Sequence, residues 1–133
     1  MSQENVEIVR QTIRSWNRQD RESLLRLLAD DVEWMPLSPA AVERSVYRGH
    51  EEVIRGFDSI WDTWDEFSFE ESEVRELGDA VVWLGTAHMR ASTSGIELTQ
   101  EMANYMLLRA GKIVHAQAFL SWQQALEAAG LRE

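Results

Sequence analysis

The chain has no cysteine, which excludes disulfides, thiolate nucleophiles and cysteine-based metal sites. It also has no apolar run near the roughly 20 residues that a membrane span needs. Its opening stretch, MSQENVEIVRQ, is polar and lacks the hydrophobic segment of a signal peptide. Together these lead to the expectation of a cytoplasmic protein with no membrane partner. Basic residues are few: 13 Lys and Arg face 23 Asp and Glu, for a net charge of −10. Nucleic-acid affinity comes largely from cations neutralising phosphates, so no nucleic-acid partner is expected. His50, His88 and His115 show no H-x-x-x-H spacing, which gives no case for zinc. The acid-rich stretch FDSIWDTWDEFSFEESEVRELGD does not have calcium-loop spacing and reads as a solvated helix face running into a solvated strand face. With no Gly-rich phosphate loop either, neither a metal nor a cofactor is expected.

What is present is enough for one core. The 133 residues form a single expected domain, 1–133, and the 44% apolar content rules out a disordered chain. A domain of this length buries roughly two-thirds of its unfolded surface. Six tryptophans stand out. Large amphipathic rings suit the walls of a cavity, although ordinary core packing also uses them.

Periodicity sets the element order. Val6, Val9, Ile13 and Trp16 recur at helical spacing over residues 3–18. Asp20 is placed to cap a second helix, RESLLRLLA, and DDVEWMP alternates briefly before Pro36, as a short edge strand does. LSPAAVERSVYRG has no period and reads as a loop. Val53, Phe57, Ile60, Trp61 and Trp64 mark a third helix of about four turns. The period then changes: FSFEESEVREL, AVVWLGTAHMRAS, GIELTQEMANYMLLR and KIVHAQAFL are strand-like and separated by compact turns, so they should pair as an antiparallel meander. Ser121 and Gln124 have capping-box spacing at the start of WQQALEAA, which Gly130 ends. Segregated helices with a curled antiparallel sheet make an α+β domain.

The pieces ADDVEW, YRGHEEV, SGIEL and GKIVHAQAFLSWQQALEAAGL, in this order and at these separations, resemble the NTF2-like superfamily and within it the SnoaL-like proteins. The resemblance implies a cone, in which a strongly curved antiparallel or mixed sheet wraps a pocket closed by the N-terminal helices. It also implies homodimers formed through the outer sheet face. Lined up with the ketosteroid-isomerase branch, the resemblance sorts the strand residues into two faces, since alternation sends neighbours opposite ways. Trp83, Gly85, Ala87, Met89, Gln100, Met102, Asn104, Ala116, Ala118 and Leu120 fall on the pocket side, and the lining expected from it is Trp83, Met89, Gln100, Met102 and Ala118 with Trp16, Met35, Tyr47, Phe57 and Trp61 from the other elements. The expected partner face carries His88, Tyr105, His115, Gln117 and Phe119, with Arg90, Glu101 and Leu107.

Chemistry is harder to place. The ketosteroid-isomerase branch needs a carboxylate base just before the strand-ending proline, where this chain has Met35; two donor tyrosines fall at Thr12 and Phe57, and the acid donor at Asn104. That activity is not expected. Neither the charged triad of the limonene-epoxide-hydrolase branch nor the inward aspartate of the polyketide cyclases is found on the pocket side. Glu33 and Asn104 remain as catalytic candidates. If Met35 points inward then so does Glu33, and desolvation would raise its pKa and suit it to proton transfer. If Val32 and Trp34 point inward instead, Glu33 faces water. The function that follows is binding of a small apolar molecule, with cofactor-free acid/base catalysis of an isomerase, cyclase or hydrolase type as an extension. A non-catalytic homodimeric ligand-sensing or dimerisation module is the alternative.

Overall fold

The computed structural model describes residues 2–36 and 46–130. Helix α1, Ser2–Asn17, buries Val9, Ile13 and Trp16 on one stripe. Asp20 caps α2, Arg21–Leu27, accepting from the Ser23 amide at 3.1 Å and the Ser23 hydroxyl at 2.7 Å. This helix ends earlier than its leucine pattern suggests, because Leu28 already belongs to strand β1, Leu28–Met35. The loop expected over LSPAAVERSVYRG lies mostly outside the described residues, and its final part is not loop: Tyr47–Arg48 form strand β2. Helix α3, Gly49–Thr63, follows directly and buries Val53, Gly56 and Phe57. Trp64, expected to close that helix, instead opens strand β3, Trp64–Leu77. Strands β4, Ala80–Ala91, β5, Glu97–Arg109, and β6, Lys112–Phe119, lead to the short helix α4, Trp122–Ala128. Ser121 caps α4 by accepting from the Gln124 amide.

The strands form one open six-stranded sheet in the order β2-β1-β6-β5-β4-β3. From β3 to β6 it is the expected antiparallel meander. β1 differs from expectation. It is not an edge: it runs parallel to β6 on one side and pairs with β2 on the other. Pro36 still ends it, since proline cannot donate to either ladder. Register shifts interrupt β3 against β4 at Trp64/Glu66 and Glu71/Glu73, and β5 against β6 at Leu107/Leu108. Such bulges bend and twist a sheet locally. The result is the α+β, NTF2-like cone.

Each face of the sheet has its own cover. On the inner face, Trp83, Met106, Ile113 and Ala116 pack under the α1 and α3 residues Val9, Trp16, Val53 and Phe57. On the outer face, Val82, Ala103 and Phe119 pack against Ala125 of α4. Phe119 is thus already buried within its own chain. Expected as part of a partner face, it is covered by α4 instead, because the Ser121 cap turns the chain back onto the sheet immediately after β6.

Candidate ligand-binding cavity

Between the inner sheet face and the helices lies a cavity of about 70 Å³. From α1 come Thr12, Ile13 and Trp16; from α3, Phe57 and Ile60. β3 contributes Phe67 and Phe69, and the central strands add Met102, Asn104 and Ala118. The rings interlock. Trp16 meets Phe57 and Phe67 edge-on, at centroid distances of 5.6 and 5.5 Å, and Trp34 meets Phe57 edge-on at 4.9 Å. Edge-to-face contacts of this kind are a favoured arrangement of aromatic rings, so the wall is a well-packed aromatic one.

Of the residues assigned to a pocket from the sequence, Trp16, Phe57, Met102, Asn104 and Ala118 are in this wall. The six remaining lining assignments require correction. Met35 faces away, since it stands in register with Gln117 while Trp34, in register with Ala116, faces inward. Tyr47 backs the wall from behind, its ring 5.4 Å from that of Trp34. Trp61 packs against Trp16 at 5.0 Å without reaching the cavity. Trp83 is completely buried in the solid core, where its indole N–H donates to Glu71 at 3.1 Å. Met89 packs with Ala87, Met102 and Trp64 beside the cavity rather than on it. Gln100 is exposed and donates to the Glu101 carbonyl, because the first half of β5 runs past the helical cover.

Glu33 is the main correction. Alternation sends Val32, fully buried, and Trp34 inward, so Glu33 and Met35 go outward together. There the Glu33 carboxylate accepts from Arg48 at 3.1 Å and lies 3.6 Å from His115 Nδ1. The Arg48 hydrogen bond, helped by the nearby charges of Arg48 and His115, holds its carboxyl below the usual carboxylate range. The expected desolvation would have done the opposite. Glu33 is an ion-paired surface group and not a cavity acid.

Cavity residues missed in the sequence include Trp34, Phe67 and Phe69. The last two carried a readable sign, since F-S-F with period 2 puts both rings on one face. Polar groups in the wall are few. Thr12 Oγ1 donates to the Ile8 carbonyl at 2.8 Å. Trp16 Nε1 and Asn104 Nδ2 are sealed from water and have no hydrogen-bond partner. Among the described residues no Asp, Glu, His, Lys or Arg lines the cavity.

Residues 9–116 match the family described as SnoaL-like domain. The chain belongs to that family. No curated protein sequence matches it. Several solved structures share the SnoaL-like architecture. An NTF2-like protein of unknown function from Burkholderia pseudomallei K96243 is 25% identical with a TM-score of 0.81, covering 96% of this chain and 97% of that one. TerC, co-crystallised with polyporic acid, is 20% identical with a TM-score of 0.79 over 96% and 99%. A protein with a ketosteroid isomerase-like fold from Catenulispora acidiphila DSM 44928, in complex with trimethylamine, is 18% identical with a TM-score of 0.76 over 95% and 94%. At these identities the likeness is one of fold, and it extends over nearly the whole SnoaL-like domain.

Proposed function

We propose that this SnoaL-like domain binds one small, mainly apolar molecule in the cone, as a sensing or carrier module in which no described cavity residue is an acid/base group. The observation that carries the reading is the cavity wall itself: aromatic rings, methionine and alanine around about 70 Å³, with uncharged Asn104 and Thr12 as its polar side chains besides the Trp16 indole. Two fold relatives holding small organic molecules, polyporic acid and trimethylamine, give the reading further support. Glu33 has no part in it, being outside the cone and paired with Arg48. Pairing of two copies belongs to the same proposal. The part of the outer face that α4 leaves open carries His88, Tyr105, His115 and Gln117, where Tyr105 and His115 rings lie 5.8 Å apart and His115 meets Gln117 at 3.3 Å.

Thermal unfolding with ethylbenzene as the probe tests the binding reading. A ligand that binds only the folded state at about a hundred times its Kd stabilises by about 2.7 kcal/mol, so the melting temperature should rise by several degrees and saturate. Glu33→Gln should show the same rise. No rise with ethylbenzene overturns the binding reading; a rise abolished by Glu33→Gln returns the carboxylate to the site.

A further inference from the structure

The negative charge of the chain is unevenly spread. Residues 1–27 carry five arginines against four acids, whereas the rest of the chain carries eight basic residues against nineteen acids. Arg10, Arg14 and Arg18 recur every four residues down α1 and into the turn that ends it. Where α1 meets α2 lies a surface pocket of about 210 Å³, whose polar lining is Gln11, Arg14, Ser15, Arg18, Ser23 and Arg26. It shares no residue with the cone cavity, and no carboxylate among the described residues lines it.

The guanidinium groups here are incompletely used. Arg26 meets no carboxylate among the described residues and donates to the Ser23 hydroxyl at 3.1 Å. Arg18 comes only to 3.8 Å from Asp20, a carboxylate already engaged in capping α2. Arg14 holds Glu7 at 2.6 Å through one of its five N–H donors. The Ser23 hydroxyl that accepts from Arg26 itself donates to the same Asp20 oxygen that faces Arg18. Arg18 and Arg26 are therefore held on either side of one cap. Ser15 is 2% exposed and lines the pocket, yet its hydroxyl makes no hydrogen bond among the described residues. Hydroxyls that deep are nearly always paired. Lys112 brings a further cation to the Arg26 carbonyl, at 2.7 Å.

Helix dipoles account for part of this. A cation in the last turn suits each helix, which explains Arg14 and Arg26 one at a time. The dipoles do not require both to converge with Arg18 on a buried, unpaired hydroxyl. A cation in the pocket would be repelled, and an apolar group would leave the donors unmet. Arginine forks match the paired oxygens of a phosphoryl group, and hydroxyls donate singly to the same oxygens.

We propose that this α1–α2 pocket binds the phosphoryl group of free phosphate or of a small phosphomonoester, with Arg18 and Arg26 as its main ligands and Ser15 at its floor. The site is separate from the cone and does not depend on the apolar-ligand reading.

Inorganic phosphate and phenyl phosphate test it, titrated calorimetrically into the intact protein near neutral pH, with acetate for comparison and sodium chloride holding the ionic strength constant. Phosphate binding should saturate at one per chain and move the amide resonances of Ser15 and Ser23. Arg18→Gln, Arg26→Gln and Ser15→Ala should each weaken it about tenfold or more, the worth of a hydrogen bond to a charged group. Where one variant fails to fold, the other two and the native saturation decide. Equal affinity for the two phosphates points to the free ion and tighter binding of phenyl phosphate to a monoester, and either supports the site. Heat that never saturates, acetate binding as tightly as phosphate, or phosphate binding unchanged in the variants overturns it. None of these outcomes bears on the cone, which ethylbenzene tests separately.

Discussion

At Gly85 a single added methyl group would run into the ring of Trp83 and the backbone carbonyl of Glu70. The indole of Trp83 lies across this position to reach Glu71, so the glycine is there for space and not for an unusual φ. Gly85→Ala is therefore expected to cost about 1–3 kcal/mol, as overpacked cores do, measured by urea unfolding. Gly56 plays a similar part on α3, where a Cβ would stand 2.7 Å from Trp34. Glu71 makes a different prediction. Hydrogen bonds from Arg10, at 3.0 and 2.9 Å, lead the causes that hold its carboxyl below the ordinary value of 4.5, and the Trp83 indole adds to them. The unfolded chain thus binds a proton more readily there than the folded one. The contribution of Glu71 is complete above pH 4.5 and is lost as the pH falls through the lower folded pKa. Glu71→Gln should flatten the acid limb of a plot of melting temperature against pH while leaving the slope above pH 6 unchanged.

Among the elements, α1 reaches the backbone of the sheet's open edge through Asn17. Asn17 donates to the Phe69 carbonyl at 3.0 Å and accepts from the Phe69 amide at 2.8 Å, taking the place of a neighbouring strand on the outer edge of β3. Asn17→Ala should cost about 1 kcal/mol and speed amide exchange at Phe69, since water replaces both bonds imperfectly. The β5–β6 turn is less well matched to its sequence. Ala110 and Gly111 both have positive φ, of 54° and 78°, as a two-residue hairpin turn demands, but alanine adopts that region at a cost. Ala110→Asn is expected to stabilise by about 0.5 kcal/mol, read from thermal unfolding.

These same elements show what the sequence carries and what it does not. Caps at Asp20 and Ser121, the turn signals and the change of period after Trp64 are local physics, and they place the elements to within a few residues. Faces within the meander follow from alternation once one residue is oriented. In β1, however, both alternating sets of DDVEWM contain an apolar residue, so choosing the inward set needs to know what lies opposite. Burial preference for Val32 and Trp34 gives the right answer, and alignment through Met35 gives the wrong one. Gln100 fails for a related reason: alternation gives the face of a strand but not where its cover ends. Which of Trp16, Trp61 and Trp83 reaches a hollow depends on side-chain rotation, set by neighbours far away in sequence such as Glu71 and Gly85.

For the molecule as a whole, the two sheet faces carry the two parts of the proposal. On the outer sheet face Glu33 and Arg48 are paired with each other, and with a net charge of −10 two copies repel at long range. The proposed pairing should therefore strengthen as salt rises from about 0.01 M to 0.15 M, where the Debye length shortens to about 8 Å. Sedimentation velocity should find the dimer at the higher salt and a monomer for Tyr105→Arg; a native chain that stays monomeric at every salt concentration removes that face from the proposal. The inner face, by contrast, is apolar and roofed by α1 and α3, and the proposed function rests on it. Apolar hollows of this kind take up xenon, which makes a crystal structure of the protein under xenon pressure the most direct examination. The expected result is ordered xenon enclosed by Trp16, Phe57, Met102 and Ala118; a cone filled by its own side chains, with xenon absent or only on the surface, contradicts a ligand-binding cavity.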